Sequence, residues 1–148
     1  MILLDTNILL RFTDSVNPDC QASRTAVHKL RQRGESLVIV PQNLYEFWAV
    51  ATRPTGSFPR ANGLGLSTNR TDLWTSYWNR NFTLLVDTED LVNRWRTLVR
   101  VFTVVGKKSH DARLVAAMQS HNITDLLTFN TQDFKRFPNI SLLNLHTV

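Results

Sequence analysis

Hydrophobic positions along this chain alternate between two textures. Short apolar runs occur at 2–4 (ILL), 37–40 (LVIV), 83–86 (TLLV), 126–129 (LLTF) and 141–145 (SLLNL). Each is long enough for a strand and too short for a helix. Between them apolar residues recur at three- and four-residue spacing: Ile8, Leu9 and Phe12; Ala22, Ala26, Val27 and Leu30; Leu44, Phe47, Trp48 and Ala51; Leu91, Trp95, Leu98 and Val99; Leu114, Val115, Ala117 and Met118. This spacing predicts helices beginning at Thr6 and over 20–33, 42–51, 67–78, 88–100 and 109–120, with a turn or short helix at 130–135. The punctuation agrees. Pro18 and Pro41 suit first helical positions, Ser67 suits a helix cap, and Gly34 suits a helix stop. Trp48, on the apolar stripe of its helix, is expected to fix that helix against its neighbours. Trp74, Trp78 and Trp95 recur at helical spacing and are expected in packing rather than on bases. The stretch 53–66 holds two of the five prolines and three of the five glycines. It reads as a long loop, a feature often tied to function or mobility.

Strands alternating with helices of this length imply βα units and a mostly parallel sheet. At 148 residues, with 43% hydrophobic residues, the chain reads as one α/β domain over 1–148. A formal net charge of +5 and a pI near 10.0 favour an anionic partner. The single cysteine, Cys20, rules out an internal disulfide and a cysteine-based metal cluster. No apolar run approaches a membrane span or a signal-peptide core, so a cytoplasmic protein without membrane contact is expected.

The acids change the picture. In parallel α/β sheets ligands sit beyond the carboxyl ends of the strands. Asp5 ends the first predicted strand, Glu46 lies early in the helix after the second, and Asp111 lies in the first turn of the 109–120 helix. Asn130 and Asp133 follow the fourth strand. Carboxylates gathered at one sheet edge repel one another unless a cation sits between them, and hard divalent ions prefer such oxygen ligands. Each also has a plainer reading: Asp5 and Asp133 as caps, Asp111 as a helix-dipole partner, Glu46 on solvent.

The segments LLDTN, VPQNLYEFWAVATRP, NGLGLS, HDARLVAAM and LLTFNTQDF, in this order, resemble the PIN-domain family, and most of all the VapC-type toxins of bacterial toxin–antitoxin pairs. The resemblance covers nearly the whole chain. It implies a PIN-like three-layer α/β/α sandwich around a five-stranded, mostly parallel sheet. It implies Mg²⁺- or Mn²⁺-dependent endoribonuclease activity, leaving 5′-phosphate and 3′-hydroxyl ends. Asp5, Glu46 and Asp111 match the family's three near-constant acids. Where many relatives carry a fourth acid this chain has Asn130, an uncharged group able to ligate weakly, and Asp133 is the carboxylate at hand. By resemblance Thr6 and Asn7 help orient the first acid or the bound water, and Thr128 matches a polar, orienting position at the end of the fourth strand. RNA is the implied substrate, a small antitoxin the implied partner, and a homodimer the implied assembly. Among the basic residues, Arg11, Lys107, Lys108 and Arg113 stand nearest the predicted strand ends and are the candidates for holding RNA.

Three rival readings remain. A haloacid-dehalogenase-type phosphohydrolase wants a second acid two residues after the first, where this chain has Asn7. A PIN-like RNA-binding or scaffold module with weakened catalysis is kept open by Asn130. A nucleotide-binding regulatory domain lacks its glycine-rich loop after the first strand.

Overall fold

The computed structural model describes residues 1–56 and 62–148. The expected 53–66 loop falls partly on 57–61, which lie outside the described residues. Five strands form one sheet: β1 (Ile2–Leu4), β2 (Leu37–Ile39), β3 (Thr83–Leu84), β4 (Asp125–Thr128) and β5 (Ser141–Asn144). Among the described residues seven helices connect or flank them: α1 (Thr6–Thr13), α2 (Cys20–Gln32), α3 (Pro41–Ala51), α4 (Thr68–Asn81), α5 (Leu91–Val101), α6 (Lys108–Ser120) and α7 (Thr131–Phe134). The strand order is β3-β2-β1-β4-β5, and every pairing is parallel.

Alternation along the strands sorts the core into two layers. Ile2, Leu4, Leu37, Ile39 and Leu127 face one way and meet Ile8, Leu9, Ala26, Val27, Leu30, Phe47 and Trp78. Leu3, Val38 and Leu126 face the other way and meet Leu91, Leu98, Leu114, Val115 and Met118. The result is an α/β/α sandwich. All three residues of β1 are 3% exposed or less. At about 2 kcal/mol per buried aliphatic side chain, that strand anchors both layers. Its two neighbours, β2 and β4, pair with it in register at Leu3↔Val38 and Leu4↔Leu127.

Element ends differ from the sequence expectation by one to three residues, for local reasons. β2 stops at Ile39 because Val40 is already the residue before α3, with Pro41 at the first helical position. β3 keeps two residues, since β2 offers it no longer partner. α5 starts at Leu91 rather than Thr88 because the Thr88 hydroxyl bonds Asp90 Oδ1 at 2.6 Å, and the Thr88 carbonyl takes the Leu91 N–H at 3.1 Å. Both bonds hold a turn ahead of the helix.

Trp48 is a correction. It sits on the predicted stripe but is 37% exposed, so it does not clamp α3 against a neighbour. Trp78 does that work, at 1% exposure, with Phe12, Phe47, Trp74, Tyr77 and Phe82 around it. Trp95 is fixed by an indole N–H bond to the Ser109 carbonyl at 2.9 Å. No helix among the described residues is long and apolar enough to cross a membrane.

Candidate active site

The chain winds from β1 outward through β2 to β3, then crosses back to place β4 and β5 on the other side of β1. The reversal falls between β1 and β4, the position at which open parallel sheets form a crevice beyond their strand ends. Asp5 is the first residue after β1, and Thr128 is the last of β4. The Asp5 N–H continues the ladder to the Leu127 carbonyl at 2.9 Å.

Asp5 occupies the N-cap position of α1 with extended backbone, yet its side chain makes no cap hydrogen bond. Its Oδ2 instead accepts from the Thr128 hydroxyl at 2.6 Å and from Asn7 Nδ2 at 2.8 Å. Oδ1 takes no side-chain hydrogen bond from the described residues, and the Asn7 backbone N–H also favours the ionised carboxyl. Thr128 is fully buried, and its oxygen accepts in turn from Asn7 Nδ2 (3.2 Å) and the Asn130 N–H (3.0 Å). Asn7 Oδ1 accepts the Phe129 N–H at 3.3 Å. The first acid is therefore held rigidly on one oxygen, with the other left for a ligand.

Burial pushes the Asp5 carboxyl up from an ordinary 3.8 to about 6. The Thr128 hydrogen bond opposes this, and the nearby charges of Asp111 and Glu46 add to it. Asp111 is also raised, chiefly by burial. Lys108 draws it down, while Asp133 and Glu46 push it up. These repulsions mark Asp5, Glu46 and Asp111 as one electrostatic neighbourhood, which Asp133 joins through Asp111.

Glu46 is oriented from both sides. Its Oε2 accepts from the Thr6 hydroxyl at 2.9 Å, and its Oε1 from Gln42 Nε2 at 2.7 Å. Thr6 thus orients the second acid rather than the first. Gln42 also donates to the His110 carbonyl at 2.9 Å, which ties α3 to the first turn of α6 beside Asp111. Arg113 donates to Gln42 Oε1 (2.9 Å) and to Asp87 Oδ2 (2.7 Å). The Arg113 guanidinium supports this network from within the fold. Asn43, fully buried, donates to the Leu4 carbonyl (3.0 Å) and the Thr6 hydroxyl (3.1 Å) and accepts the Val40 N–H (2.8 Å).

Asn130 is exposed, and its side chain makes no hydrogen bond with the described residues. Asp133, on α7, is paired with the Lys108 ammonium, which also lies 3.9 Å from Asp111 Oδ2. Lys107 is exposed, and the Arg11 guanidinium lies 6.0 Å from the centre of the Phe129 ring.

No three His, Cys, Asp or Glu side chains among the described residues form a ready-made metal cage. The donor set still suits a hard divalent cation. It is all oxygen, one Asp5 oxygen has no side-chain partner, and the carboxylates repel one another in a partly buried place. Mg²⁺ tolerates few protein ligands because it keeps waters and takes phosphate oxygens. An apolar groove of about 690 Å³ lies elsewhere, lined by Phe12, Arg24, Arg70, Leu73, Trp74 and Tyr77. None of the acids lines it.

The family model of the PIN domain matches residues 2–140. The chain belongs to the PIN-domain family. Among solved structures its fold is similar to VapBC2 from Rickettsia felis, bound to a DNA fragment from their promoter. That pair has a TM-score of 0.71 at 18% identity, covering 97% of this chain and 98% of the other. It is also similar to a toxin–antitoxin complex from Klebsiella pneumoniae, with a TM-score of 0.62, 20% identity and coverage of 95% and 96%. VapC20 from Mycobacterium tuberculosis, a Sarcin-Ricin loop cleaving toxin, aligns with a TM-score of 0.59 and 16% identity over 85% and 87%. At these identities the likeness is one of fold. No curated protein matches the sequence.

Two residues of this PIN domain were not anticipated from the sequence: Gln42 and Asn43. The available signal was a pair of amides directly after a buried strand and Pro41, in the first turn of a helix where apolar residues would be expected. A buried amide in that place must find partners, and the nearest are at strand ends.

Proposed function

We propose that this PIN domain is a divalent-metal-dependent endoribonuclease, the toxin of a toxin–antitoxin pair, acting in the cytoplasm as one unit over residues 1–148. The observation that carries the proposal is Asp5. It is a partly buried carboxylate at the switch point of the sheet, held on Oδ2 by Thr128 and Asn7, with no side chain bonded to Oδ1 and with Asp111 and Glu46 close enough to raise its proton affinity. The family and the toxin–antitoxin neighbours support the nuclease reading in general.

Asp5, Asp111 and Glu46 are the residues that would hold Mg²⁺ or Mn²⁺, with Asn130 as a weak neutral ligand. When bound, the ion supplies charge neutralisation at the scissile phosphate and activation of a water. The remaining work belongs to the chain. Thr128 and Asn7 keep Asp5 from turning inward to cap α1. Thr6 and Gln42 fix Glu46 on both oxygens. Asp133 is the further carboxylate available for proton transfer. Arg11 and Lys107 offer positive charge for the RNA backbone, while Lys108 and Arg113 reach it only from their intramolecular partners. A small antitoxin covering the site and a homodimer complete the proposal.

The test is cleavage of a mixed RNA pool by purified protein with Mg²⁺, Mn²⁺ or a chelator, with Asp5→Asn and Asp111→Asn alongside. The expected result is metal-dependent cleavage to 5′-phosphate and 3′-hydroxyl ends, lost in both variants. A cyclic phosphate product, or activity indifferent to both substitutions, overturns it. The second reading, a catalytically weakened RNA-binding or scaffold module, is favoured by exposed, uncharged Asn130. Tight RNA binding without cleavage in either metal would select it.

A further inference from the structure

Lys108 opens α6, three residues before Asp111, so the two side chains share a helix face. Its ammonium bonds Asp133 Oδ1, from α7, and stands 3.9 Å from Asp111 Oδ2. The three side chains are 36%, 29% and 32% exposed. Ion pairs this open to water add little to stability, so the consequence of the arrangement is electrostatic. Between the third acid and the acid of α7, where a cation would find two carboxylates, the protein already supplies one. Asn130, two residues beyond the end of β4 at Thr128, brings no charge to recruit another. Asp5, by contrast, has no cationic partner among the described residues. The acids are thus answered unevenly: Asp5 and Glu46, with Asp111 at their edge, stand open to a divalent ion, while the gap between Asp111 and Asp133 is already answered by lysine.

We propose that the Lys108 ammonium is the second cation of this site, so that the protein takes a single divalent ion on the Asp5 side and excludes another from the Asp111–Asp133 side. This rests on the metal-dependent reading above. A lysine ammonium is a compact point charge on a flexible stem. It can leave Asp133 for a phosphate oxygen of the substrate without altering the fold, a freedom that Arg113, bonded to both Gln42 and Asp87, does not share.

The experiment is calorimetric titration of metal-free, full-length protein with Mn²⁺ alone, in the wild type, Lys108→Met and Lys108→Arg. The wild type is expected to bind one ion. Lys108→Met is expected to bind a second ion, or to bind one on the order of tenfold more tightly, as removal of a nearby positive charge requires. Lys108→Arg is expected to keep the wild-type stoichiometry. Two ions in the wild type overturn the inference whether or not the variants fold. So does Lys108→Met matching the wild type in number and affinity, or Lys108→Arg gaining a second ion. A wild type that binds no Mn²⁺ removes the metal-dependent reading itself. A wild type that binds one ion unaffected by Lys108→Met removes only the role of Lys108.

Discussion

Asp5→Asn should make the metal-free protein more stable while removing its metal binding. The folded state holds the Asp5 proton to about pH 6, whereas the unfolded chain releases it near 3.8. For an acid raised in this direction, the folded state binds more protons than the unfolded one between those values. Stability therefore falls as pH rises from about 4 to about 6, then stays level. A gap of about two pH units corresponds to about 3 kcal/mol by which ionised Asp5 weakens the fold at neutral pH. Asparagine removes that charge and keeps the geometry. Its Oδ1 can take the place of Oδ2 and accept from Thr128 and Asn7, and its amide can face the open side. Allowing for relaxation around the site, the expected gain at pH 7.5 is about 2 kcal/mol, or roughly 5 °C in Tm for a chain of this size. The assay is urea and thermal unfolding of both proteins in chelator, from pH 4 to pH 8. The stability gap should be near zero at pH 4, open through pH 6 and hold constant above. Adding Mn²⁺ should then stabilise the wild type, by about 2.7 kcal/mol at a hundred times its Kd, and leave Asp5→Asn where it was. A gap that does not change with pH, or an asparagine variant less stable than the wild type at pH 7.5, would refute the reasoning.

Three further outcomes follow from the same network. Asn43→Ala strips partners from the Leu4 carbonyl, the Thr6 hydroxyl and the Val40 N–H in a fully buried place, and should cost about 2–4 kcal/mol by urea unfolding; a loss below about 1 kcal/mol would mean that water replaces the amide. Gln42→Leu keeps the bulk of a 5%-exposed side chain but frees Glu46 on one oxygen and strips a partner from the His110 carbonyl and from Arg113, so RNA cleavage should drop about 10- to 100-fold and stability should fall by about 1–3 kcal/mol; unaltered cleavage would show that Thr6 alone suffices to place Glu46. Gly63→Ala would put a Cβ 1.9 Å from the Arg53 carbonyl oxygen, and the forced backbone shift should cost about 2 kcal/mol and raise the rate of proteolysis near residue 63; wild-type stability and proteolysis would indicate that the turn yields freely.

The parts of this protein that the sequence disclosed were those set by local pattern, and the parts it withheld were those set by pairing at a distance. An apolar run that ends in Asp5, with a second apolar run close behind it, locates the acid at a strand end. The same run cannot say that β4 lies beside it. The 2.6 Å bond between Thr128 and Asp5 joins residues 123 apart in the chain, and it exists because the strand order reverses at β1. Helical spacing placed Trp48 on the apolar stripe of α3, since spacing gives the direction of a side chain; how deeply that side chain is covered is a matter of tertiary packing, and Trp48 stays 37% exposed where Trp78 is 1% exposed. Charge behaves in the same way. Lys108 and Arg113 lie near strand ends, as their positions implied, but an exposed-looking base next to a cluster of acids does not stay turned to solvent. Arg113 is taken by Asp87 and Gln42, and Lys108 by Asp133. Acids gathered at a sheet edge draw in the bases of their own helices before they meet any ligand, so basic residues close to such a cluster are better read first as part of its charge balance. Arg11 and Lys107, which have no ionic partner among the described residues, are the ones left for the RNA backbone that the proposed function calls for.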